Sequence, residues 1–210
     1  LLLAVPGWVG FSAHAQPVFD VPLDAPTVAL STELEYLVDG SGAWQPDSGE
    51  PAPGEWRKLR DRKGKANFGY VGHPVWFRVV LRSSTDKEWV WVVSTPPLEW
   101  VTLVQQRPGK AAERSEAGLG AAQAQRAPPQ RLPAFKLALP AGEPVTVHMR
   151  VQSSGLMQVP LDLWQPALWQ ERERRMHALL GAYFGLLVAL LAYNGFLALR
   201  LRDQAYGYYI

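Results

Sequence analysis

The chain has 210 residues, 48% of them hydrophobic and 19% charged, with a formal net charge of +2. That is enough for one domain with a real core, and the small, scattered positive charge argues against a nucleic-acid partner. Eighteen Pro, eighteen Gly and nine Trp favour a β-rich, turn-rich body, and the lack of cysteine excludes disulfides, thiolate metal sites and cysteine nucleophiles.

Residues 1–15 read as the remainder of an export leader. LLLAVPGWVGFSAHAQ is apolar, too short to span a bilayer, interrupted by Pro6 and Gly7, and ends on the small-x-small pattern Ala13-His14-Ala15. The chain starts with Leu, so the positive beginning of such a leader is expected to be missing. Residues 16–165 then form the exported body. PVFDVPL and TVALSTELEYLVDGSG predict strands, with Asp39-Gly40 as a turn. Residues 46–67 read as a polar connection apart from Trp56 and Leu59.

PVWFRVVLRSS gives the clearest local signal. Val75, Phe77, Val79 and Leu81 alternate with Trp76, Arg78, Val80 and Arg82, which predicts a strand with two distinct faces. DKEWVWVVSTP and EWVTLVQQRPGK predict the next two strands. Residues 107–131 are biased towards Ala, Gly, Gln and Arg without apolar period, and predict a long surface loop. AFKLALP, PVTVHMRVQSS and VPLDLWQP complete the set. Seven or eight short strands with no amphipathic helix between them predict an all-β, antiparallel sandwich.

After Pro166 the period changes. Residues 166–177 predict a polar helical lead-in, and Ala178–Leu199 an apolar helix of about 33 Å, matching a hydrocarbon core of about 30 Å. Arg200 and Arg202 flank its far end, and AYGYYI within residues 200–210 resembles the start of a second helix. Gly181 and Gly185 have GxxxG spacing, and Asn194 puts a costly amide near the end of the span. Both predict packing against further helices or in a homodimer.

Chemistry-bearing motifs are missing. The four histidines have no metal-ligand spacing, no HExxH, nucleophile elbow or Walker loop occurs, and Gly118-Leu119-Gly120 lacks a third glycine. Neither enzyme activity nor a cofactor is expected. Most Trp read as core or membrane-interface anchors; Trp76 and Arg78, sharing one strand face, are also a candidate stacked pair for a ligand.

FGYVGHPVWFRVVLRSS, VTVHMRVQSSGLMQVPLDLW and LLGAYFGLLVALLAYNGFLALRLRDQAYGYYI together resemble the bacterial seven-transmembrane receptors with diverse intracellular signalling modules. The resemblance covers Leu30 to the C-terminus. It implies a periplasmic jelly-roll domain of the second extracellular type, a multi-helix domain in the bacterial inner membrane, and an output module such as a diguanylate cyclase or histidine kinase beyond this sequence. It adds Arg126, ahead of a strand, and Arg150, in the Arg-Val-x-Ser-Ser run, to Trp76 and Arg78 as ligand-site candidates. It also implies a small carbohydrate-like ligand, and arginines beside aromatic residues suit a carboxylate as well. The alternative expectation is a single-pass anchored carbohydrate-binding or envelope module without signalling.

Overall fold

A computed structural model describes residues 17–48, 52, 54–62, 66–95, 98–120 and 132–201. The expected leader, Arg126 and residues 202–210 lie outside the described residues. The chain divides into two compact units, Leu1–Trp164 and Gln165–Ile210.

The first unit is built of strands: β1 (Val18–Asp20), β2 (Thr27–Ala29), β3 (Glu35–Val38), β4 (Arg57–Lys58), β5 (Asn67–Tyr70), β6 (Val75–Arg82) and β7 (Lys87–Val93). There follow β8 (Trp100–Gln106), β9 (Glu113–Ala117), β10 (Ala134–Leu139), β11 (Val145–Gln152), β12 (Leu156–Gln158) and β13 (Leu161–Trp164). The larger sheet has the order β4-β3-β6-β11-β8-β9, with β1 parallel to β6. A second sheet runs β10-β7-β13-β2, and β12 and β5 pair as a ribbon. Apart from β1, the paired strands are antiparallel, and the two larger sheets enclose one core.

Alternation explains that core. From β6, Val75, Phe77, Val79 and Leu81 point inward, opposite Val151, Met149, Val147 and Val145 of β11. The facing sheet contributes Trp89, Trp91, Phe135, Leu137, Leu161 and Leu163. Trp91 donates its indole N–H to Met149 Sδ at 3.3 Å, so even this buried polar atom is satisfied across the two sheets. Trp89 and Trp91, two residues apart on β7, are both core residues.

The sequence reading and the structure part in three places. β9 lies within the stretch read as a surface loop. Its residues, ERSEA, carry no apolar period because, among the described residues, it is an edge strand registered only against β8. Charges along such an edge discourage pairing with other chains. It is closed by Gly118-Leu119-Gly120, where Leu119 N–H donates to Leu98 O (3.0 Å) and Gly120 N–H to Glu99 O (2.8 Å). Gly118 has φ +111, and a Cβ there would lie 2.5 Å from Glu99 O, so both backbone angle and space require glycine. β5 and β12 are likewise too short to carry a period. Residues 46–67, read as a polar connection apart from Trp56 and Leu59, contribute β4 and pack Ala52 and Trp56 onto the larger sheet.

The second unit contains α1, Pro166–Leu201, one continuous helix of 36 residues. Pro166 suits a first helical position, where its missing N–H costs nothing. Glu171 pairs with Arg174 (2.8 Å) and Arg175 (2.7 Å), one helical turn on. Pro166–Leu197 is long and apolar enough to cross a membrane. The expected lead-in (166–177) and span (178–199) form a single rod. At Gly181 and Gly185 an added Cβ would meet nothing within 4 Å, and Asn194 is half-buried.

Candidate functional site

The outward face of the larger sheet is where the sequence-predicted residues come together. Since β6 points its odd-numbered residues inward, Trp76 and Arg78 must point outward, and β11 likewise presents His148 and Arg150. Register puts Glu35, Arg78, His148, Val104 and Arg114 in one row across five strands. Leu37, Trp76, Arg150, Thr102 and Glu116 form the next row. Trp76, Arg78 and Arg150, three of the candidate ligand residues, are thus neighbours; Arg126 lies outside the described residues.

This face is roofed. Trp76 is 0% exposed and joins Leu37 and Trp44 in a second small core, with Ala52 and Trp56 packed against it. Trp44 meets Trp76 edge-on with ring centroids 5.1 Å apart, and also meets Trp56 (5.9 Å) and His148 (6.2 Å). Arg78 lies on the Trp56 ring, 4.1 Å from its centroid, and its Nε donates to Glu35 Oε2 at 2.7 Å. Trp76 is therefore reached from solvent only when this cover moves.

Asp39 shapes the cover. It is fully buried, and its Oδ1 accepts from Ser41 N–H (3.0 Å), Ser41 Oγ–H (2.5 Å) and Gly42 N–H (3.1 Å), while Oδ2 accepts from Trp44 N–H (3.2 Å). Burial alone pushes a carboxyl up, but the Ser41 hydroxyl and the Gly42, Ser41 and Trp44 amides outweigh it and hold Asp39 below its usual value. Three strands then fasten the roof. Arg150 Nη2 donates to Gly42 O (3.3 Å), Gln106 Nε2 to Pro46 O (3.1 Å), and Arg114 Nη2 to Gln45 Oε1. Arg150 also donates to Gln152 Oε1 at 2.9 Å.

Sequence reasoning missed His148 as a buried group. It is only 7% exposed, directly opposite Arg78, with Nδ1 lacking a hydrogen-bond partner among the described residues. Burial first, then the Arg78 charge, pushes its pKa from 6.5 down to about 4, against a smaller pull from Asp47. Burial also lowers the guanidinium pKa values of Arg78 and Arg150, with Glu35 and Asp39 respectively offsetting it. The only sequence signal for the roof was two Trp, 44 and 56, in or beside a polar stretch. Among the described residues no group of three or more His, Asp or Glu stands close enough to hold a metal ion.

The family profile of the 7TMR-DISM extracellular 2 domain matches residues 31–165, well over half of the chain. The chain belongs to that family. The match spans the roofed face and ends at the junction with α1, so this 7TMR-DISM extracellular domain carries both the Trp76 face and its cover. No curated protein matches the chain. An extracellular-type domain followed by a helix able to cross a bilayer fits a membrane protein of receptor type.

Proposed function

We propose that this is the extracytoplasmic ligand-sensing part of a membrane-bound bacterial signal-transduction receptor, with its β-domain in the periplasm and α1 in the inner membrane. The family match over residues 31–165, directly followed by a membrane-length helix, carries this reading. The role is non-enzymatic: binding of a small ligand, carbohydrate or carboxylate in type, changes the balance between two states of the domain. A ligand does so only through different affinity for the two. Residues 166–177 pass the shift to further transmembrane helices of the same receptor, and through them to an intracellular output module. Gly181, Gly185 and Asn194 are the helix-packing residues in this scheme. The ligand face is the one bearing Trp76, Arg78 and Arg150, where guanidinium groups suit carboxylate oxygens and an indole suits a sugar ring.

Thermal unfolding of the chain in detergent micelles, run against sugars, uronic acids and small carboxylates, tests this. A ligand at 100 times its dissociation constant adds roughly 2.7 kcal/mol and raises the melting temperature. The shift is expected to vanish in Arg150→Ala. A ligand whose shift survives Arg150→Ala and Arg78→Ala alike places the binding site elsewhere.

A further inference from the structure

His148 is buried directly opposite Arg78, where a second positive charge is costly. Its ring is wedged between the strand bearing Arg78 and the roof, edge-on to Trp44 and tilted against Trp56 at 6.0 Å. The charged groups around it come from every neighbouring element. Arg78 faces it from β6, with Glu35 of β3 bound to that arginine, and Arg150 lies two residues along its own strand on the same face. Val104 of β8 is uncharged, Arg114 of β9 stands one strand further, and Asp47 of the roof pulls weakly the other way. A second cation opposite Arg78 has no carboxylate within its row except Glu35, whose Oε2 already accepts from Arg78. With residues 39–48 lifted, water solvates the imidazolium and the conflict disappears.

We propose that residues 39–48 form an acid-released cover: protonation of His148 opposite Arg78 frees the roof from the sheet and uncovers Trp76, so that the domain reads extracytoplasmic acidification. The inference rests on the sensing role proposed above and names the proton as a ligand of that face. Its size follows from linkage. A histidine held near 4 under the roof and returning to its ordinary 6.5 when uncovered raises the open-to-closed ratio about 20-fold between about pH 7 and pH 5. Loss of the roof leaves the inner core of Phe77, Met149, Trp89 and Trp91 in place, because none of the roof residues belongs to it.

The cysteine-free chain allows a direct test in micelles. Val104, fully buried beside His148 in register, becomes a reporter as Val104→Cys; Leu137→Cys reports the inner core. Maleimide reactivity at position 104, corrected for thiolate fraction, is expected to rise about 20-fold from about pH 7 to pH 5. Adding His148→Gln is expected to flatten that rise, and position 137 is expected to stay unreactive. An equal rise with and without His148→Gln overturns the proposal, as does a parallel rise at position 137. Should His148→Gln fail to fold, the imidazole of the Val104→Cys chain is followed by NMR. A titration midpoint near 6.5 with position 104 still protected overturns the proposal equally. The readout is local to the roof, so it stands or falls apart from whether sugars or carboxylates shift unfolding.

Discussion

The Trp44 and Trp76 rings pack edge to face with their centroids 5.1 Å apart, and this contact makes the second face of a β-sheet into a second core. Trp44 has no strand of its own. It is held over the sheet by a turn wound around one buried carboxylate, Asp39. Removing the ring opens a space that the short turn cannot close. Trp44→Ala is expected to destabilise the β-domain by about 3 kcal/mol or more. Thermal or denaturant unfolding checks it, and a loss below about 1 kcal/mol means the roof contributes little to folding.

Arg78 combines an ion pair with a stacked ring. The Glu35 and Arg78 side chains are 16% and 21% exposed, so their bond is only partly screened. A double-mutant cycle with Glu35→Gln and Arg78→Ala is expected to give a coupling of about 1–2 kcal/mol. Arg78→Lys is expected to recover little of it, since an ammonium neither lies flat on Trp56 nor matches the Arg Nε geometry. Full rescue by lysine means charge alone matters.

Stability is expected to fall on acidification in two steps. His148 is depressed from 6.5 to about 4, so the unfolded chain binds the proton more readily. Its contribution is complete above 6.5 and is lost as pH falls from there to about 4, amounting to about 3 kcal/mol with the roof closed and less once the roof opens. Asp39 is also depressed, so its contribution holds above the unfolded carboxyl value of about 3.9 and is lost as pH falls through its lower folded value. Unfolding free energies measured from pH 7 down to 3 check both. His148→Gln is expected to remove the upper step and Asp39→Asn the lower.

Gly118→Ala is expected to destabilise by about 2 kcal/mol or more, through its positive φ and the clash of a new Cβ with Glu99 O. Gly72→Ala, at a position without positive φ and with open space around a new Cβ, is the control and is expected to change stability by less than about 0.5 kcal/mol. Equal losses at the two positions contradict the account given for the β9 turn.

The sequence by itself determined the two-faced strands and the membrane-length helix. Alternation in PVWFRVVLRSS and PVTVHMRVQSS assigns Val75, Phe77, Met149 and Val151 to one face and Trp76, Arg78, His148 and Arg150 to the other, because successive side chains in a strand must diverge. Ala178–Leu199 carries no charge and, apart from Asn194, is apolar nearly all round, so its nature needs no partner to be read. What covers the second face was decided only in three dimensions. Residues 39–48 carry no period, and their placement depends on a carboxylate capping its own turn and on side chains donated from β8, β9 and β11, more than fifty residues away in sequence. The burial of His148 follows from that placement. A histidine on a polar strand face is solvated until a distant segment closes over it, and a local pattern holds no record of a distant segment.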